Sequence, residues 1–253
     1  MRSGSPLSRW KWERARVRAQ NVVAVLASGG LDSCALMGDL ARKRTVVPLY
    51  IRQGLAWEKA ELYWLKKFLK ALKNPKVRPL QIFNLPMGDL YPKGHWSLPA
   101  EAARQRVARR RVPGCRSDDR AVYLAGRNLA LGVKAAVFCV LNKIPAIALG
   151  SLGRNPFPDA SRRFFRRWAG TLSMGLHARL AIKTPYRALS KSQVIKRGEG
   201  FPLALSFSCL APVGKKHCGR CNKCAERRKA FLKAGVEDAT SYSLARAKRG
   251  RGD

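Results

Sequence analysis

Short apolar runs alternate with longer amphipathic stretches through most of the chain. "NVVAVLAS" (21–28) is valine-rich and reads as a buried strand. "DSCALMGDLARK" then spaces its apolar residues as a helix does. "TVVPLYI" (45–51) predicts a second strand, and its Pro48, lacking an N–H, suggests an irregular or edge position. "AWEKAELYWLKKFLKALK" (56–73) predicts an amphipathic helix with Leu62, Leu65, Leu69 and Leu72 on one side. "PLQIFNL" (79–85) predicts a third strand, "VYLAGRNLALGVKAAVFCVLNK" (122–143) a loop entering a buried helix, and "IPAIALG" (144–150) a fourth strand. A helix over 160–177 and a fifth strand in "LAIKTPY" (180–186) follow. Ser190 and Gln193 are spaced as a capping box, and Gly198 suits the C′ position after that helix. Strands alternating with helices predict an α/β fold, a doubly wound, mostly parallel sheet.

The periodicity fails in two places. Residues 86–119 carry Pro, Gly, Asp and the basic run Arg104–Arg111, and read as a mobile insertion or lid. Residues 1–20 form a basic extension and 241–253 a basic tail. Between them lie an α/β domain over 21–200 and a small subdomain over 201–240.

Ligands of such sheets sit beyond the carboxyl ends of the strands. "ASGGLDSC", Ala27 to Cys34, falls at that position. A strand, then Ser28-Gly29-Gly30, then a helix starting near Asp32 presents bare amides and the positive end of a helix dipole to an anion. The Ser28 and Ser33 hydroxyls can donate to it, and Asp32 can hold Mg²⁺ or order the loop. The loop has no Gly-Lys-Ser/Thr, which disfavours a Walker A motif. A plain tight turn with Asp32 or Ser33 as N-cap is the competing reading.

Four of seven cysteines fall within Cys209–Cys224, as Cys209, Cys218, Cys221 and Cys224. Such spacing lets four thiolates close a tetrahedron around Zn²⁺, a closed and therefore structural site, with an iron–sulfur cluster as the rival. His217 reads as a neighbour of the cluster. The odd cysteine count and the clustering argue against a secreted disulfide scaffold and for a cytoplasmic protein.

Composition adds an electrostatic constraint. The chain has 253 residues, with 51 Lys+Arg against 15 Asp+Glu and a net charge of +36. That field attracts polyanions, with RNA among the candidate partners. No apolar run approaches the ~20 residues of a membrane helix, and residues 1–20 lack the apolar core of a secretory signal.

"SGGLDS" resembles the pyrophosphate loop of the N-type ATP pyrophosphatases, the PP-loop enzymes. Taken with "YLAGRN" (123–128), "NPFPDA" (155–160), "LSKSQVI" (189–195) and "SFSC…HCGRCNKCAERRKAF" ending at Phe231, the chain resembles the 7-cyano-7-deazaguanine synthase (QueC/ExsB) family over about residues 21–240. The resemblance implies the adenine nucleotide alpha hydrolase-like (HUP) fold with a C-terminal zinc-binding subdomain. It implies ATP, Mg²⁺ and Zn²⁺ as cofactors, a deazapurine acid and ammonia as substrates, and a homodimer. ATP would lie on Ala27, Ser28, Gly29, Gly30, Leu31, Asp32, Ser33 and Cys34, with Gly126, Arg127 and Asn128 beside it. Asp32, Ser33 and Arg127 would be catalytic, and Asn155 and Asp159 would meet the substrate. Lys183 and Lys191 are weaker phosphate candidates and read as solvated.

The implied reaction is adenylation of 7-carboxy-7-deazaguanine and its conversion by ammonia to the nitrile. The sequence departs from the family pattern at Ala160, where the family has cysteine, at "YIRQGLAWEKAEL", which lacks a histidine, and at "SLGRNPF", where acidic residues are usual. A paralogue using another carboxylate or a macromolecule-linked deazapurine, a tRNA-modifying PP-loop enzyme, and a non-enzymatic basic zinc protein that binds RNA are the alternatives.

Overall fold

The computed structural model describes residues 21–99 and 111–243. The basic extension, residues 104–110 of the basic run and the tail from 244 lie outside the described residues.

Five strands form one all-parallel sheet in the order β3-β2-β1-β4-β5. They are β1 (Val22–Leu26), β2 (Thr45–Arg52), β3 (Gln81–Asn84), β4 (Ala146–Ala148) and β5 (Ala181–Lys183). Among the described residues six α-helices accompany them: α1 (Leu31–Ala41), α2 (Glu58–Leu72), α3 (Arg127–Leu141), α4 (Arg162–Gly175), α5 (Lys191–Arg197) and α6 (Asn222–Ala234). The chain leaves β1, adds β2 and β3 on one side, then returns to β1 and adds β4 and β5 on the other. The doubly wound α/β reading is therefore correct.

Side chains alternate across each strand, so the sheet has two apolar faces. Val23 and Val25 of β1 pack with α1, with Leu65 and Phe68 of α2, and with Ala230 and Phe231 of α6. Ala24 and Leu26 face the other way, toward Ala135, Ala136 and Cys139 of α3 and Phe165, Trp168 and Leu172 of α4. α6 thus joins the four-cysteine segment to the main core. On α2, Leu62 and Leu65 are buried and Leu69 and Leu72 pack partly against the same core.

Pro48 sits in an interior strand, not at an edge: it pairs in register with Val25, and β3 flanks β2 on the other side. Val46 N–H, two residues earlier, donates to Lys76 on the β3 side, so the missing donor of Pro48 faces that side too. It falls between an isolated bridge at Val46–Val77 and the ladder that starts at Leu49–Gln81, where no bond is needed. Gly198 follows α5 with φ −91°, so no left-handed turn requires it. A Cβ there would come within 2.9 Å of Leu203 Cδ1, so close packing accounts for the glycine. The Ser190–Gln193 capping box is present.

The described flanks of the 86–119 insertion are pinned. Trp96 stacks on Trp57 at 5.7 Å, Ala56 N–H donates to Ser97 O, and Asn222 N–H donates to Pro113 O.

Helices α3 and α4 meet where Gly132 lies against the Trp168 ring, with no room for a Cβ between them. Gly132→Ala gains helix propensity of at most ~1 kcal/mol but overpacks this contact at a cost of roughly 1–3 kcal/mol. Overlap with a buried ring wins, and the variant should melt about 5 °C below wild type in a thermal scan.

Candidate active site and metal centre

The glycine loop turns at Gly29, with φ +70°, and delivers Gly30 to the N-cap of α1. No side chain caps that helix. Neither Asp32 nor Ser33 is the N-cap: Ser33 Oγ donates back to Gly30 O at 3.0 Å and lies 3.2 Å from Ser28 Oγ. The first amides of α1 are therefore left to another acceptor.

The loop is held from three directions. Phe207 N–H donates to Gly29 O at 2.7 Å. A Cβ on Gly29 would press on Glu61 and Leu65 of α2. Gly150, after β4, approaches so closely that a Cβ would come within 2.9 Å of the Asp32 carbonyl carbon.

Above the loop is a cleft of about 200 Å³. Ala27, Ser28, Gly30, Asp32, Ser33, Arg127, Asn128 and Asn155 line it together with Tyr50, Glu61 and Ser151. Leu31 and Cys34 point into the core instead, because helical spacing turns them away from the opening. Gly126, with φ +67°, turns the chain into α3 and so aims Arg127 and Asn128 at the cleft. Arg127 Nε donates to Gln53 Oε1 at 3.0 Å.

Asp159 does not face the cleft. Its carboxylate accepts from Asn128 N–H at 3.0 Å and from Asn128 Nδ2 at 3.4 Å, so it caps α3 from a neighbouring segment. Ser161, not Asp159, caps the helix that follows. Ala160 is fully buried beside it. Asn155 Oδ1 accepts from Phe157 N–H and shapes the turn at the cleft rim.

Lys191 is not solvated. Its Nζ lies 2.6 Å from Glu226 Oε1 and 3.4 Å from Asp32 Oδ2. Lys223 continues the chain of charges, 2.9 Å from Glu226 Oε2 and 3.7 Å from Asp119. Burial works against the Lys191 charge, but Asp32 and Glu226 outweigh it and keep the ammonium protonated. Burial raises Asp32, with Lys191 opposing. Asp32 Oδ1 and Ser151 Oγ are buried without a hydrogen-bond partner among the described residues. Lys183 lies on β5, away from this network.

Glu61 was not anticipated from the sequence. It is buried, accepts from Tyr50 O–H at 2.7 Å, and burial lifts its pKa to about 7 against the pull of Arg127. The available signal was an acid on the apolar stripe of α2, four residues before Leu65.

The four cysteines meet behind the loop, all buried, with sulfurs within 4.8 Å of one another. Cys209 and Cys221 sulfurs are 4.0 Å apart, as are those of Cys218 and Cys224. A tetrahedron of ~2.3 Å metal–sulfur bonds has edges of about 3.8 Å, so this cluster can hold a metal ion. Backbone N–H groups of Cys218 and Ala211 point at Cys209 Sγ, and that of Cys221 at Cys218 Sγ, as thiolates require. His217 stays outside: its Nε2 accepts from Ser208 N–H.

Glu61 generates a prediction. Its folded-state pKa lies above its ordinary 4.5, so the folded state holds the proton more tightly and stability falls as pH rises from about 4.5 through about 7. Glu61→Gln abolishes that loss. In urea titrations the two proteins should be similar at pH 4.5, and the variant should be more stable by roughly 3 kcal/mol at pH 8. Parallel pH profiles would show that folding does not raise the Glu61 pKa.

A family model, Queuosine biosynthesis protein QueC, matches residues 22–235. The 7-cyano-7-deazaguanine synthase of Brucella anthropi is 32% identical over 233 residues, covering 86% of this chain and 92% of the relative. That of Chelativorans sp. is 30% identical, covering 86% and 92%, and that of Caldicellulosiruptor saccharolyticus 29%, covering 87% and 95%. The match runs from β1 to the end of α6, through both the glycine loop and the four cysteines, and the chain belongs to the QueC family.

Proposed function

We propose that the chain is an ATP-dependent synthase that converts 7-carboxy-7-deazaguanine and ammonia into 7-cyano-7-deazaguanine, with release of AMP and pyrophosphate. The observation that carries this reading is the uncapped start of α1, framed by the unpartnered Asp32 Oδ1 and Ser151 Oγ, in a chain whose relatives are named for that product. ATP supplies the AMP group that makes a carboxyl oxygen, and then an amide oxygen, a leaving group; ammonia supplies the nitrogen.

The residues suit these roles. The amides of α1 and the hydroxyls of Ser28 and Ser33 would grip the β,γ end of ATP. Asp32 Oδ1 fits a Mg²⁺ ligand, being a buried and unpartnered carboxylate oxygen that a cation would hold in the charged form. Lys191, held between Asp32 and Glu226, sits where it can balance phosphate charge. Arg127, oriented by Gln53, would stabilise charge developing at the α-phosphate. Asn155 would meet the acid at the rim. The cysteine cluster fits Zn²⁺ as a closed structural site.

A second reading is favoured by one feature. Beyond Asp32 and Asn155 the cleft continues into a chamber of about 150 Å³ lined by Arg154, Phe157 and Asp119. Arg154 stands in the segment where the family's acidic residues are usual, which suits a different carboxylic acid.

Incubation with ATP, ammonium and 7-carboxy-7-deazaguanine, followed by mass spectrometry, should yield the nitrile with two AMP per product. AMP formation only with another acid would establish the second reading, and ADP as product would overturn both. Arg127→Ala should lower kcat about 100-fold with the fold intact by circular dichroism.

The metal is tested separately. The purified protein should carry one zinc per chain by elemental analysis, and Cys221→Ser should lose it. Removal of zinc should lower the thermal midpoint by about 10 °C or more.

A further inference from the structure

We propose that the exposed face of α4 is a docking surface for the phosphodiester backbone of a nucleic acid. This inference is independent of the reaction assigned above. Residues 151–198 contain eleven Lys and Arg but a single acid, Asp159, and the carboxylate of Asp159 is taken up by Asn128. Arg162, Arg163, Arg166 and Arg167 stand exposed in the first turn and a half of α4. Among the described residues none of the four is in an ion pair. Elsewhere several acids are matched to cations: Asp39 to Arg197, Glu226 to Lys191 and Lys223, and Asp238 to Arg227.

The arrangement works against the helix that carries it. The positive end of the helix dipole disfavours cations in the first turn, and α4 has no acid there. Arg162 and Arg166, like Arg163 and Arg167, are i,i+4 like-charge pairs, which repel on a helix surface. A polyanion laid across the face relieves both penalties at once. Guanidinium groups also match phosphate oxygens two at a time.

A nucleic acid fits this face better than an anionic membrane. A helix that lies in a bilayer surface inserts an apolar side. The apolar residues of α4 beside the arginines, Phe165, Trp168 and Leu172, are buried in the core of the sheet. Its exposed large apolar side chain, Met174, is near the other end of the helix. Arg154, eight residues before α4 in the chain, lines the chamber next to the cleft.

The test is fluorescence polarisation of a labelled tRNA transcript against the full-length protein over a salt series. Wild type should bind at physiological salt with a steep salt dependence. The quadruple variant Arg162→Gln, Arg163→Gln, Arg166→Gln, Arg167→Gln should bind at least tenfold more weakly. Its plot of log K against log salt should be shallower by about three, at ~0.7–0.9 per phosphate contact. Relief of the like-charge pairs should leave its thermal midpoint at or above that of wild type. The double variants Arg162→Gln, Arg166→Gln and Arg163→Gln, Arg167→Gln should each lose about half of the slope.

The control neutralises four exposed lysines of α2, Lys59, Lys66, Lys67 and Lys70, and should change binding far less. Equal losses in both quadruple variants would mean that net charge alone attracts RNA, and would overturn the assignment. So would absence of binding at physiological salt, or binding to phosphatidylserine vesicles with none to nucleic acid. A duplex DNA of similar length, run in parallel, identifies which nucleic acid supplies the backbone.

Discussion

The site depends on one unsatisfied helix end. The first amides of α1 have no partner in their own helix, and no side chain supplies one. Such a terminus is useful only if it is held still, and here the hold comes from outside the helix. Phe207 N–H fixes the Gly29 carbonyl, Glu61 and Leu65 crowd the Gly29 backbone, and Gly150 closes on the Asp32 backbone. Gly29 needs both its positive φ and its missing Cβ, and Gly150 needs the missing Cβ, so these two glycines are steric requirements of the hold.

The cysteine cluster shares in this hold although it holds no substrate. Cys221 and Cys224 sit at the start of α6, and Glu226, half a turn on, grips the Lys191 ammonium that reaches Asp32. Phe207, whose amide fixes the loop, lies two residues before Cys209. A metal drawing the four sulfurs together would set the position of both contacts. The four cysteines, drawn from two segments, lie behind the glycine loop, while Ala230 and Phe231 of α6 complete the core under β1.

Electrostatics divides the surface into two regimes. Around the cleft, cations are neutralised in the series Asp32, Lys191, Glu226, Lys223, Asp119, so a bound anion meets an ordered, nearly balanced site. Outside it, α4 carries unpaired charge that no fold requirement explains. Burial demands pairing because an isolated charge in a low-dielectric interior is costly, whereas an exposed arginine is solvated at little expense. Unpaired charge at the surface is therefore available to a partner, and paired charge in the cleft to orientation.

Much of this was legible in the residues alone. Valine-rich runs and 3.6-residue spacing determined the five strands, the main helices and the parallel sheet, because periodicity and strand–helix alternation are local properties. The glycine loop and the four-cysteine spacing were likewise legible, since their chemistry depends on residues close in the chain. What only the tertiary structure decided is which side chains share a space. Asp159 turned out to cap α3 through Asn128, Lys191 to be locked between Asp32 and Glu226, Pro48 to lie inside the sheet, and Glu61 to be buried under the cleft. Each of these rests on a contact between segments at least 11 residues apart, 11 for Tyr50 and Glu61, 31 for Asn128 and Asp159 and 35 for Lys191 and Glu226, and no pattern along the chain encodes such a distance.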